Sequence, residues 1–103
     1  MVLEPRSMLS VLVIDDQPVF RLGLRHLLSA NFPDVMFGEA ETAREALLEI
    51  DRRRWEVVTL AISTGGENGF HILREIRRRH PEVKVLIISS HQERMFSYQL
   101  AYR

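Results

Sequence analysis

The sequence predicts an α/β fold built on a parallel sheet. Short apolar runs alternate with segments of helical spacing, and most of those runs are rich in Val and Ile with little polar alternation. That is how strands buried on both faces read, and strand–helix alternation of this size implies right-handed βαβ units. The runs are Val11–Ile14, Val35–Phe37, Val57–Ile62 and Val83–Ile88.

The first helix is expected over Pro18–Ala30, with Phe20, Leu24, Leu27 and Leu28 facing inward at i, i+4, i+7 and i+8. Pro18 suits a first turn, where its missing N–H is not needed. Thr42-Ala43-Arg44-Glu45 reads as a capping box and opens a second helix with Ala43, Ala46, Leu47 and Ile50 on one face. A third helix is expected from Gly69 to His80 with Phe70, Leu73 and Ile76 inward, stopped by Pro81. Glu93–Arg103 is expected to be helical, with a poorly defined apolar face.

At 103 residues the chain is one domain, since single cores typically occupy about 100 to 150 residues. Residues 8–103 are expected to form it, with 1–7 a disordered lead. Fourteen basic and fourteen acidic side chains cancel, so no global field draws the domain to nucleic acid or an acidic membrane. The lack of cysteine excludes disulfide scaffolds and thiolate metal sites. Val83–Ile88, interrupted by Lys84, is far too short to span a bilayer, and Met1–Ser7 lacks the apolar stretch of a signal peptide. A soluble cytoplasmic domain is the expectation.

In open α/β sheets functional groups gather at the carboxyl ends of the strands. The first strand ends in Asp15-Asp16. Two adjacent carboxylates there could form a hard-oxygen site for Mg²⁺. Equally, Asp16 or Gln17 could cap the first helix while Asp15 is solvated.

The string VLVIDDQPVFRLGLRHLL, Val11–Leu28, resembles the start of receiver domains in the NarL/FixJ (LuxR-type) class of two-component response regulators. Gly69 falls where that family begins its third helix, and the resemblance covers Leu9 to Ser90. It implies a flavodoxin-like fold, a Mg²⁺ pocket and an aspartate that accepts phosphate from a histidine kinase. Carried over residue by residue, Asp15 and Asp16 match the metal-binding acids. Ser63 matches the residue whose carbonyl helps hold the metal, and Ser89 matches the switch hydroxyl. The phosphoacceptor should follow Val57-Val58-Thr59-Leu60, and that position is Ala61. Thr64-Gly65 also replaces a hydrophobic–Pro pair common in the family. Mg²⁺ would meet two carboxylates instead of three, so the implied metal site is vestigial and weak. Glu67 in the loop, and Glu56 about five residues and roughly 16 Å away along the strand, are poor substitutes as acceptors.

Sheet order by the same resemblance is 2-1-3-4, with strand four an exposed edge and the family's fifth strand, its lysine and fifth helix missing. The expectation is therefore a fragment of a longer protein or a domain that self-associates, with a homodimer the natural form. Its partners are proteins, with DNA reached only through an output domain absent from this chain. Arg52-Arg53-Arg54 and Arg77–His80 could be nucleic-acid patches, but both sit at helix C-termini, where cations are favoured anyway. His26, His71, His80 and His91 lack metal-ligand spacing. Trp55 is expected to lie as a lid on the amino end of the sheet. The leading functional expectation is a phosphorylation-independent receiver that regulates an output, transcription by analogy. One alternative is an ordinary phosphorylatable regulator, shortened or carrying an Asp-to-Ala change. A more remote one is an enzyme or small-ligand binder using the strand-end crevice, for which no nucleophile beyond the two acids is evident.

Overall fold

A computed structural model describes residues 9–88. The chain runs β1 (Ser10–Ile14), α1 (Pro18–Asn31), β2 (Met36–Ala40), α2 (Ala43–Arg52), β3 (Val57–Ala61), β4 (Ser63–Thr64), β5 (Glu67–Asn68), α3 (Gly69–Arg79) and β6 (Lys84–Ile88). Four strands form one parallel sheet in the order β2-β1-β3-β6, which is the predicted 2-1-3-4 order of the four apolar runs. Among the described residues β6 is an edge. The expected helix over Glu93–Arg103 lies outside the described residues.

Register assigns the two faces. Leu12, Ile14, Val58, Leu60, Val85 and Ile87 form one buried cluster with Ala46 and Ile50 of α2 and Ile72, Leu73 and Ile76 of α3. Val11 and Val13 are also buried but point the other way, toward α1. That side also carries ion pairs. Val13 is in register with Glu39, and Glu39 takes Arg21 at 2.9 Å and Arg25 at 3.0 Å from α1.

Several element details differ from expectation, each for a packing reason. The second strand runs on from Phe37 through Gly38 and Glu39 to Ala40, because pairing with all five residues of β1 continues past the end of the apolar run. Gly38 is needed there: a Cβ would intrude on the Trp55 ring. Trp55 is accordingly no lid at the sheet's end. It is 3% exposed, lies across β2 beneath α2, and donates its indole N–H to the Glu49 carbonyl at 3.0 Å. The third strand stops at Ala61, one residue short, and Lys84 rather than Val83 begins β6.

Leu27 is exposed, not inward, and α1 buries no residue fully; Phe20, Leu24 and Leu28 are half-buried against the sheet. In α3 the buried set is Gly69, Ile72, Leu73 and Ile76, with Phe70 half-buried. β6 alternates exposed and buried residues, as an edge strand with one covered face does. The capping box forms with a shift: Thr42 Oγ1 accepts the Glu45 N–H at 3.1 Å, while the Glu45 carboxylate reaches back to the Glu41 N–H at 2.8 Å.

The arginine-rich helix ends meet acids. Arg52 pairs with Glu49, Arg78 with Glu75, and Arg79 with Asp51 at 2.7 Å. Asp51 also takes His80 Nε2 at 2.9 Å, which ties the end of α2 to the end of α3.

Gly38→Ala should destabilise the domain by about 1–3 kcal/mol through overpacking against Trp55. Urea unfolding followed by the fluorescence of that single tryptophan measures it directly.

Candidate functional site at the carboxyl edge of the sheet

Three connections converge where β1, β2 and β3 end. β1 is prolonged by one bond, from the Asp15 N–H to the Ala40 carbonyl at 3.0 Å, which fixes Asp15 at the sheet edge. The Asp15 side chain is 7% exposed, and its Oδ1 accepts the Gln17 N–H at 2.9 Å. Burial pushes the Asp15 carboxyl above the ordinary carboxylate range; the Gln17 N–H opposes this, the neighbouring Asp16 adds to it, and Arg21 opposes it.

Neither acid is a helix cap. Gln17 occupies the N-cap position of α1 without any side-chain bond, and Pro18 follows it. Asp16 is exposed and reaches across the edge instead, where its Oδ2 accepts the Gly65 N–H at 2.9 Å.

The β1–β3 register ends on Ile14 and Leu60, and the residues that follow these two in the chain, Asp15 and Ala61, both lie at the carboxyl edge. Ala61 is half-buried, and its carbonyl accepts the Thr64 hydroxyl at 3.3 Å. Beyond it the chain makes the β4–β5 hairpin, which the strand patterning passed over. Its turn residues are Gly65 at φ +57° and Gly66 at φ +81°, the two positive values a type I′ turn requires. The adjacent glycines were the signal that could have found it. Ser63 is exposed and pairs with Asn68, whose Oδ1 caps α3 by accepting the Phe70 N–H at 2.8 Å. Gly69 is where the helix touches the strand end: a Cβ there would strike the Ala61 and Ile62 carbonyl oxygens. Ser89, the predicted switch position, lies outside the described residues.

Arg21 is the residue whose role at the site was not read from the sequence. Its guanidinium donates to the Asp15 carbonyl at 2.8 Å, to Glu39 at 2.9 Å and to Glu41 at 3.3 Å, with the side chain 12% exposed. Its partners lie far along the chain, so helical spacing alone could not flag it. Glu56 is held at the opposite end of the sheet, where its Oε1 accepts the Ser10 N–H at 3.3 Å.

The sequence matches the description "Response regulator receiver domain" over residues 11–101. The chain belongs to this family. The receiver domain is similar to the transcriptional activator protein ExaE of Pseudomonas putida, 32% identical over 82% of this chain and 40% of that protein. It is also similar to a protein-glutamate methylesterase/protein-glutamine glutaminase of Hahella chejuensis, 36% identical over 81% of this chain and 24% of that protein. The solved structure of a two-component response regulator of the LuxR family from Aurantimonas superposes with a TM-score of 0.78 at 26% identity, over 90% of this chain and 66% of that one. The chain spans less than half the length of the curated relatives it matches.

The fold also implies a divalent cation at this edge. Among the described residues no group of three or more His, Asp or Glu side chains stands together to hold a metal. Asp15 and Asp16 each give one carboxylate oxygen to a backbone N–H. Ala61 offers no carboxylate. Mg²⁺ completes its six ligands with water and is commonly held by one or two carboxylates, so these two acids, each already accepting a backbone N–H, fit such a cation only weakly.

Asp15→Asn should stabilise the receiver domain at neutral pH. The folded-state pKa of Asp15 is raised, so its ionised form costs stability above that value, and the cost disappears as pH falls below the unfolded value of 3.8. Denaturant midpoints of the two proteins should therefore converge toward acid pH.

Proposed function

We propose that this receiver domain takes no phosphate at Ala61 and signals through protein contacts instead. One observation supports the reading: Ala61 ends β3 one residue past Leu60, whose register partner Ile14 precedes the buried Asp15, and the family resemblance calls for the phosphoacceptor at that position. A methyl group has no oxygen with which to form an acyl phosphate. Glu56, tied to the Ser10 N–H at the amino edge, is no substitute.

In this reading the domain regulates an output, with transcription favoured by the likeness to ExaE and DNA engaged only by a separate output domain. The methylesterase likeness concerns a stretch of similar length that makes up about a quarter of that longer enzyme. The domain itself is therefore read as a non-enzymatic, cytoplasmic module that works through protein partners or a homodimer. No helix among the described residues is long and apolar enough to cross a membrane. Asp15, Asp16 and Ser63 are read as the remnant of a metal site, and Ser89 as the remnant of a switch.

Incubation with acetyl phosphate and Mg²⁺ should give no mass gain of one phosphoryl group; a stable adduct would falsify the reading. Ala61→Asp should restore a third acid and destabilise the domain at neutral pH. Two carboxylates about 5 Å apart repel by roughly 3 kcal/mol at an effective dielectric of about 20, which sets the scale of the loss. The loss should shrink at mildly acid pH as the carboxylates protonate, as urea melts at the two pH values would register.

A further inference from the structure

The Asp16–Gly65 contact has a consequence independent of the chemistry at Ala61. We infer that the β4–β5 hairpin is a latch across the carboxyl edge of the sheet, with Asp16 as its anchor, and that it holds this edge in one arrangement without a divalent cation.

Three contacts seat the hairpin. Thr64 is fully buried and gives its hydroxyl to the Ala61 carbonyl, so the base of the hairpin is tied to the end of β3. The turn packs against the connection between β2 and α2: a Cβ on Gly65 would lie 3.0 Å from the Glu41 carbonyl oxygen and 3.3 Å from the Thr42 methyl. The Gly65 N–H then closes on Asp16 Oδ2 at 2.9 Å, joining β1 to the loop after β3 across 49 residues of sequence.

The chemistry of the turn explains the choice of partner. In a type I′ turn the hairpin's own bonds join the flanking residues, here Thr64 and Glu67. The N–H of the first central residue is left over, and a backbone donor needs an acceptor. Asp16 supplies a charged one, which makes the bond stronger than a neutral pair. The same N–H turns its positive end toward the carboxylate on which a cation would have to bind, so the two compete for Asp16. The type I′ turn needs positive φ at both central residues, and the Gly65-Gly66 pair meets that need without strain.

The latch makes Asp16 a structural acceptor, and that role separates two substitutions that a metal-ligand role would not. Asp16→Asn keeps an oxygen able to accept the Gly65 N–H. Asp16→Ala removes it. Amide hydrogen exchange of the isotope-labelled intact chain reads the difference at one residue. With a charged hydrogen bond lost, Gly65 exchange in Asp16→Ala should accelerate about tenfold or more, and in Asp16→Asn by much less. Millimolar Mg²⁺ added to the unaltered protein should leave the Gly65 and Asp16 amide resonances in place. Unchanged Gly65 exchange in Asp16→Ala, or a saturable Mg²⁺-dependent shift of the Gly65 amide, would overturn the latch. The Mg²⁺ titration needs no variant, so it decides even if Asp16→Ala fails to fold. Neither arm depends on phosphorylation: a phosphoryl adduct on this protein would sink the proposed function and leave the latch standing.

Discussion

Parallel pairing is the constraint on which the rest of this domain depends. Strands that all run the same way must all end at the same edge, and each return passes over a face of the sheet. The register β2-β1-β3-β6 therefore brings Asp15, Glu41 and Ala61 to one rim although they are scattered over half the chain. The buried residues of the α2 and α3 face hold that register, because a slip of one position would turn Leu12, Ile14, Val58 and Leu60 away from Ile72 and Ile76. The rim is a by-product of the core.

The two faces of the sheet are covered to different degrees. α2 and α3 cover theirs by apolar packing, with Trp55 fitted into the space left by Gly38. α1 rests on half-buried Phe20, Leu24 and Leu28 over Val11 and Val13, with ion pairs of Arg21 and Arg25 to Glu39 and of Arg21 to Glu41 beside them. Val19, Leu22 and Leu27 on that helix stay exposed, and so does Leu86 of β6, which register places on the same side of the sheet as Val13 and Glu39. Arg21 links this side to the rim, since the same guanidinium that binds Glu39 also holds the Asp15 carbonyl. Helix placement and the geometry of the acid pair are thus one arrangement.

Much of this was legible in the chain. Val/Ile-rich runs marked four strands, and the spacing of Ala43, Ala46, Leu47 and Ile50 marked the covered face of α2. The capping box announced that helix and Gly69 marked the start of the next, whose cap, Asn68, only the structure shows. What misled was local pattern read without its neighbours. Leu27 fits a helical stripe yet is 60% exposed, and Glu39 breaks an apolar run yet lies in a strand because its backbone pairs with β1 while Arg21 and Arg25 take its carboxylate. The hairpin was missed because two-residue strands leave no periodicity to read.

Beyond the sheet order, which the family resemblance supplied, the sequence by itself marked the four strands of the sheet, three helices and the chemistry available at the rim: two adjacent acids after β1 and a methyl group at the end of β3. Those follow from residue type and short-range spacing, which act within a turn or a strand. Only the tertiary structure decided what the acids touch. Asp15 is buried and bound to the Gln17 N–H, whereas Asp16, its neighbour in the chain, is exposed and spent on Gly65. Adjacent side chains point apart at the end of a strand, so their fates are set by whichever loops the sheet brings to the edge, and no local pattern carries that information.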